Sequence, residues 1–282
     1  MSDLYTIARI NGGAIAWSDE QVAYIIDKYL NENYTLKQLG KEFSCNYGTI
    51  RNLLNKHHIQ SRGKKQGFPR DEFYFNEINS IDKAYWLGFL YADGCVHSND
   101  NSISINITDL EHVQKFQTAL KATNHKITIT QDNRFKNAKP LYQFSIRDEQ
   151  LHKDLIKWGC VPQKSLLIEK IPNIPRDFVS HFLRGYFDGD GCISISKEGY
   201  LRFRLCCYRD ELLKDIDTFL KKKYNNTSSL SKDSNRQMYE LSISTFYAKD
   251  IFKDMYSLNS LHLERKYQKY LEYKTQETLT SN

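Results

Sequence analysis

Residues 86–95 read WLGFLYADGC, and residues 183–192 read LRGYFDGDGC. Each is an apolar, helix-like run that carries a Gly and ends in a small residue, an Asp and a Gly. The two terminal acids, Asp93 and Asp190, lie 97 positions apart, about the length of a small domain. One such acid alone reads as an ordinary surface residue at a helix end. Two in matching context predict a pseudo-twofold enzyme that brings two carboxylates together on its axis.

Small residues recur four apart within each phrase, as Gly88 and Ala92 and as Gly185 and Gly189. Such pairs share one helical face. A stripe of Gly and Ala lets two helix backbones approach closely, because no large side chain stands between them. Packing the two helices on each other sets Asp93 and Asp190 side by side, with Gly94 and Gly191 expected to end the helices as C′ glycines. Adjacent carboxylates repel each other and face the negative ends of two helix dipoles. A cation or a proton must intervene, and Mg²⁺ prefers oxygen ligands of this kind.

After each phrase the chain alternates with period two. Ile103, Ile105 and Ile107 face one way and Ser104, Asn106 and Thr108 the other; Leu201, Phe203 and Leu205 oppose Arg202 and Arg204. Residues 125–130 and 141–147 alternate likewise, setting out Lys126, Thr128, Gln143 and Arg147, and 227–245 hold a weaker pair. Helical stretches fall at 109–121, 148–158, 209–223 and 247–257. Each half therefore reads helix, two strands, helix, two strands, helix. The fold class is α+β: two pseudo-symmetric αββαββα repeats whose antiparallel sheets form a saddle with helices on one face. The other face is polar and partly basic, the mix used on base edges and phosphates.

The N-terminal segment has another period. Ser18 with Gln21, and Thr35 with Gln38, are capping boxes. Val22, Ile25, Ile26, Tyr29 and Leu30 form one helical stripe, and Leu36, Leu39 and Phe43 a second. Asn46 is placed to cap a third helix with Ile50, Leu53 and Leu54 inward. Three short helices with a tight turn before the last resemble a helix-turn-helix module. The outward residues of the third, Tyr47, Arg51, Asn52 and Asn55, suit base edges in a major groove, and Arg62, Lys64 and Lys65 suit phosphates. The expected division is 1–66 for this module, a linker over 67–79 marked by Gly67 and Pro69, and repeats over 80–170 and 171–282.

Composition agrees with a folded chain: 40% hydrophobic and 13% aromatic residues exclude disorder. Net charge is +6, and residues 1–70 hold ten Lys/Arg against six Asp/Glu, which points to an anionic partner. The six Cys include no C-x-x-C pair and read as small buried thiols in a reducing compartment. His57-His58 has no partner at zinc-ligand spacing. No apolar run reaches a membrane span and no signal-peptide core opens the chain. A soluble, cytoplasmic or nucleoid-associated protein without a membrane partner is expected.

The two phrases resemble the LAGLIDADG motif of homing endonucleases, over roughly residues 70–282, in the single-chain, two-repeat form. The resemblance implies that Asp93 and Asp190 are metal ligands for Mg²⁺ or Mn²⁺, joined by the backbone carbonyls of Ala92 and Gly189. The motif's earlier acid is Asp188 in the second copy but Tyr91 in the first, a break in the symmetry. The family also has a basic residue late in each repeat. Lys164 and Lys266, in Val161-Pro162-Gln163-Lys164-Ser165 and Leu263-Glu264-Arg265-Lys266-Tyr267, are the candidates, with Arg265 the neighbour that a slip of one residue would select.

The implied activity is metal-dependent, site-specific cleavage of double-stranded DNA by a monomer at a long, imperfectly symmetric target, each carboxylate serving one strand. Two other functions use the same fold: an RNA-binding intron maturase, and a DNA-binding transcription regulator. Retention of both acids favours the enzyme. The chain starts with Met and ends Ser281-Asn282 without a preceding His, so a free-standing enzyme is expected rather than an intein.

Overall fold

The structure is a computed structural model that describes residues 4–9, 15–32, 34–59, 69–131, 139–225, 227–233, 237–257 and 260–280. Met1–Pro69 and Arg70–Asn282 form separate units.

In the first unit, β1 (Ala8–Arg9) pairs antiparallel with β2 (Ile15–Ala16), followed by α1 (Asp19–Leu30), α2 (Leu36–Glu42) and α3 (Tyr47–Lys56). Both capping boxes are formed, Ser18 with Gln21 and Thr35 with Gln38, and the Asn46 side chain accepts from the Gly48 N–H to open α3. Ile25, Tyr29, Leu39, Phe43, Ile50, Leu53 and Leu54 make the core. One member of the expected stripe differs. Leu30 is 55% exposed at the helix end, whereas Gln21 is buried, its Nε2 donating to the carbonyls of Leu4 and Thr6. The chain entering the unit supplies partners for that amide, so a polar residue takes the inward position.

The second unit begins with α4 (Ile81–Ala92), β3 (Gly94–Val96), β4 (Ser102–Ile107), α5 (Leu110–Ala119), β5 (Ile127–Thr130), β6 (Leu141–Arg147) and α6 (Glu149–Lys157). After α7 (Lys164–Leu167) and a 3-10 turn at Arg176–Phe178 the pattern repeats. It runs α8 (Val179–Asp190), β7 (Gly191–Ile195), β8 (Leu201–Cys207), α9 (Asp210–Tyr224), β9 (Ser229–Asp233), β10 (Met238–Ile243) and α10 (Thr245–Met255). The two antiparallel sheets have matching orders, β3-β4-β6-β5 and β7-β8-β10-β9. Ile103, Ile105, Phe144 and Ile146 from one sheet, and Leu201, Phe203, Leu205 and Leu241 from the other, are buried in one continuous core. The expected α+β fold of two αββαββα repeats is therefore present. An added helix, α11 (Glu264–Thr280), extends the second repeat beyond its expected third helix; with mostly polar residues, it carries no strong stripe in the sequence.

Helices α4 and α8 meet at their glycines. A Cβ added to Gly88 would lie 1.9 Å from the Phe182 carbonyl oxygen, and one on Gly185 would lie 1.9 Å from that of Tyr85. Towards the C-terminal ends, a Cβ on Gly189 would lie 2.2 Å from that of Ala92. The backbones thus touch where the four-residue spacing of small side chains predicts.

Three expectations are corrected. Gly94 and Gly191 are not left-handed C′ caps. Neither has positive φ, and each is the first residue of a strand. Glycine is required there by space, since a Cβ would meet the Leu90 carbonyl oxygen at 2.7 Å or the Phe187 ring at 2.2 Å. Second, Cys95 and Cys192 are exposed rather than buried, because both fall on the outward alternation of β3 and β7. Third, the outward face of β4 is not fully open: Ser104 is buried beneath His97, whose Nε2 lies 3.0 Å from its hydroxyl. Among the described residues no helix is long and apolar enough to cross a membrane.

Gly185→Ala should destabilise the protein by about 3 kcal/mol or more, because the new methyl overlaps backbone on a neighbouring helix that cannot yield locally. Gly199→Ala is the control. Its φ of +84° costs about 1–2 kcal/mol, but nothing lies within 4 Å of the added Cβ. Denaturant unfolding of the two variants checks the difference.

Candidate active site

The paired helices bring the two acids together. Asp93 follows α4 as its C-cap, and Asp190 is the last residue of α8. Built on Gly189, a Cβ lies 3.4 Å from the Asp93 nitrogen. Both carboxyls are held above the ordinary range. For Asp93 the main cause is burial, opposed by the charges of Lys266, Arg265 and Lys164. For Asp190 burial is again first, the negative charge of Asp93 second, and together they lift it to about 6. Asp190 is itself solvent-accessible. It lines a concavity with Tyr91, Ala92, Lys164 and Tyr186, so water reaches it while the walls displace bulk solvent. The direction of its shift is therefore upward, with screening limiting its size.

Both predicted lysines lie at this site. Lys266, near the start of α11, is buried, and its Nζ donates to the carbonyls of Phe187 at 2.6 Å and Gly189 at 3.0 Å. Burial pulls it down to about 8, against the opposing charges of Asp188, Asp93 and Asp190. Lys164, at the start of α7, is half-buried and donates to the Gly94 carbonyl. Each lysine thus closes onto the motif of its own repeat. Arg265 is instead exposed and pairs with Asp109 at the head of α5, its Nε 3.1 Å away, while its charge still acts on Asp93.

An oxygen-liganded divalent ion fits this arrangement. The charge of one acid raises the other, which a cation would relieve, and the Ala92 and Gly189 carbonyls adjoin the two carboxylates in the chain. Among the described residues no group of three or more His, Cys, Asp or Glu forms a metal cluster. Among the described residues the charged oxygen donors at this site are then the two acids, which suits a hard divalent cation that keeps water and substrate oxygens in its shell.

Sequence reading missed the network behind the site. Asp188 is 0% exposed and accepts from Tyr85 Oη at 2.8 Å, Tyr256 Oη at 2.8 Å and the Leu263 N–H at 2.7 Å. Burial pushes its carboxyl up, and the charge of Lys266 and these three donors oppose the shift. Leu263 precedes Lys266 by one helical turn and accepts its backbone N–H at 3.0 Å. Asp188 therefore anchors the segment that delivers the lysine. Tyr91, at the matching position of the first motif, donates to the Trp158 carbonyl at the end of α6. The broken symmetry of the motif is thus chemical, since both side chains tie the end of the third helix of their own repeat to the motif helix. His112 extends the network, its Nε2 lying 3.1 Å from Tyr85 Oη. Because Tyr85 gives its proton to Asp188, the imidazole donates through Nε2, and Nδ1 has no partner among the described residues.

The remaining predicted residues lie elsewhere. Tyr47, Arg51, Asn52 and Asn55 are exposed on α3 of the first unit, while Arg62, Lys64 and Lys65 lie outside the described residues. Lys126 is exposed just before β5, and Arg147 and Arg202 are exposed on β6 and β8. Arg204 is half-buried, its Nη1 3.8 Å from Glu240 and its Nη2 donating to Cys192 Sγ at 3.3 Å.

A LAGLIDADG-like domain profile matches residues 80–157 and 177–255. The chain belongs to this family. Solved structures similar to it include full-length DUF199/WhiA from Thermatoga maritima, at 18% identity over 73% of this chain and 65% of that one, with a TM-score of 0.44. Mesophilic variants of the homing endonuclease I-DmoI match at 13% identity over 67% of this chain and 92% of theirs, with a TM-score of 0.44. I-SmaMI, bound to an uncleaved DNA target in the presence of calcium ions, matches at 15% over 71% and 91%, with a TM-score of 0.45. No curated protein matches the chain significantly in sequence.

Burial holds His112 down at about 3, against an ordinary 6.5. The unfolded chain then binds a proton that the folded chain refuses, so this contribution to stability is complete above about pH 6.5 and is lost as pH falls towards 3. His112→Gln keeps a donor for Tyr85 and should flatten the stability–pH curve in that window by up to about 1.4 kcal/mol per pH unit. Urea unfolding of both proteins between pH 4 and 7 tests this.

Proposed function

We propose that this chain is a site-specific endonuclease that cuts both strands of duplex DNA. The observation that carries the reading is the pair of acids, Asp93 and Asp190, held against mutual repulsion at the ends of two packed helices with a lysine beside each motif. A fold alone needs no such pair, because like charges in a desolvated concavity cost stability. Their retention supports chemistry on a phosphodiester rather than binding alone.

In this reading Asp93, Asp190 and the carbonyls of Ala92 and Gly189 hold the metal. A bound Mg²⁺ or Mn²⁺ would lower the pKa of a coordinated water and offset charge on the scissile phosphate. Lys266 stabilises negative charge building on one phosphate, and Lys164 does so on the other strand. No Ser, Cys or His nucleophile is required. The sheet faces carrying Lys126, Arg147, Arg202 and Arg204 contact the duplex. In the first unit α3 acts as the recognition helix of a helix-turn-helix, with Arg51, Asn52 and Asn55 towards base edges and Tyr47 at its start. Arg62, Lys64 and Lys65 supply phosphate contacts.

Incubation of the protein with a randomised duplex library and Mg²⁺, beside a sample in EDTA, should yield metal-dependent cuts at one long site. Asp93→Asn and Asp190→Asn should each abolish double-strand cleavage and leave binding largely intact; full cleavage by both variants would sink the assignment. A readout independent of activity is the unfolding temperature at pH 7.5. Mg²⁺ should raise it in the parent and leave the double variant unchanged.

A further inference from the structure

Each sheet turns one side of its strands away from the core, and strand register aligns the two faces position by position. Cys95 opposes Ser104 in the first sheet, and Cys192 opposes Arg204 in the second. Ser104 thus corresponds to Arg204. One pair further along, Asn106 opposes Gln143, which opposes Thr128. The matching row of the second sheet is Cys206, Glu240 and Ser231.

The chemistry of these matched rows differs. The first presents two side-chain amides and a hydroxyl. Asn106 and Thr128 are exposed and Gln143 is partly so, and neither amide has a hydrogen-bond partner among the described residues. Arg147 on the same face is held at the turn by Asp100, with Nη2 2.9 Å from its carboxylate and Nε 2.7 Å from its carbonyl oxygen. The second face instead puts a guanidinium and a carboxylate 3.8 Å apart, Arg204 and Glu240.

We infer that the two halves of the DNA target differ in base composition. The first repeat reads A·T pairs through Asn106 and Gln143, and the second reads a G·C pair through Arg204 and Glu240. Amides pair bidentately with adenine N6 and N7, a guanidinium with guanine O6 and N7, and a carboxylate accepts from cytosine N4. Arg204 and Glu240 are close enough to share the two bases of one pair, exchanging their ion pair for contacts with guanine and cytosine. The inference rests on the endonuclease reading only so far as both sheets face duplex DNA.

Binding selection from a randomised duplex library tests it, using the full chain, with cleavage of the selected sites scored separately in Mg²⁺. The parent should enrich sites with adenines on one side of the centre and a G·C pair on the other. Asn106→Ala should relax the adenine preference by about tenfold and leave the other half unchanged. Arg204→Gln should move the preference at the G·C position from guanine towards adenine, a gain that misfolding does not produce. Relaxation of the same half by both variants, or an A·T preference at the position Arg204→Gln alters, would overturn the inference while cleavage persists. Enrichment of the divided site without cutting would overturn the endonuclease reading alone. No enrichment of any duplex would overturn both.

Discussion

The contact between α4 and α8 sets the terms for the rest of the second unit. Helices with ordinary side chains at their crossing keep their axes about 8–10 Å apart. Here Gly88 faces the Phe182 carbonyl and Gly185 faces that of Tyr85, so backbone rests on backbone. Because the two glycines occupy matching places in their motifs, the crossing has pseudo-twofold character. Whatever stands at the ends of these helices is brought together too, and that is where Asp93 and Asp190 stand. Each helix then passes within two residues into the first strand of its sheet, so the same contact ties both sheets to the acids.

Bringing two carboxylates into a partly desolvated site costs free energy, visible as the upward shifts of both acids. The fold offsets part of this with Lys164 and Lys266. Holding Lys266 in a buried position requires its own support, which Asp188 provides by gripping Leu263 and Tyr256. Asp188 also accepts from Tyr85 of the other repeat, so the anchor of one lysine crosses the pseudo-twofold interface. The first repeat has no counterpart to this carboxylate; Tyr91 donates to a backbone carbonyl instead. The two halves therefore share a topology but not an electrostatic environment.

Local signals account for what could be read before the structure. The capping boxes at Ser18 and Thr35 formed because their bonds depend on residues three apart. The strand alternation survived because side-chain direction along a strand follows from backbone geometry alone. The small-residue spacing predicted the helix contact, since only those faces permit it. Reading failed where packing, rather than residue type or spacing, decides the outcome. Gly94 looked like a helix cap but is glycine because Leu90 crowds it. Leu30 fitted a helical stripe, yet Gln21 took the buried place once the segment around Leu4 and Thr6 gave its amide partners. Helix α11 carried too little amphipathic pattern to stand out.

By itself, the sequence determined the repeat, the order αββαββα within each copy, and the two acids, because each is written in local spacing or in a motif; the family resemblance then supplied the candidate lysines. Tertiary structure alone decided that Lys266 rather than Arg265 turns inward, that Asp188 serves as an anchor, and that Arg204 stands beside Glu240. These depend on which residues from separate segments share a desolvated space. Burial and pairing of charge are properties of that space, and no stretch of sequence contains it.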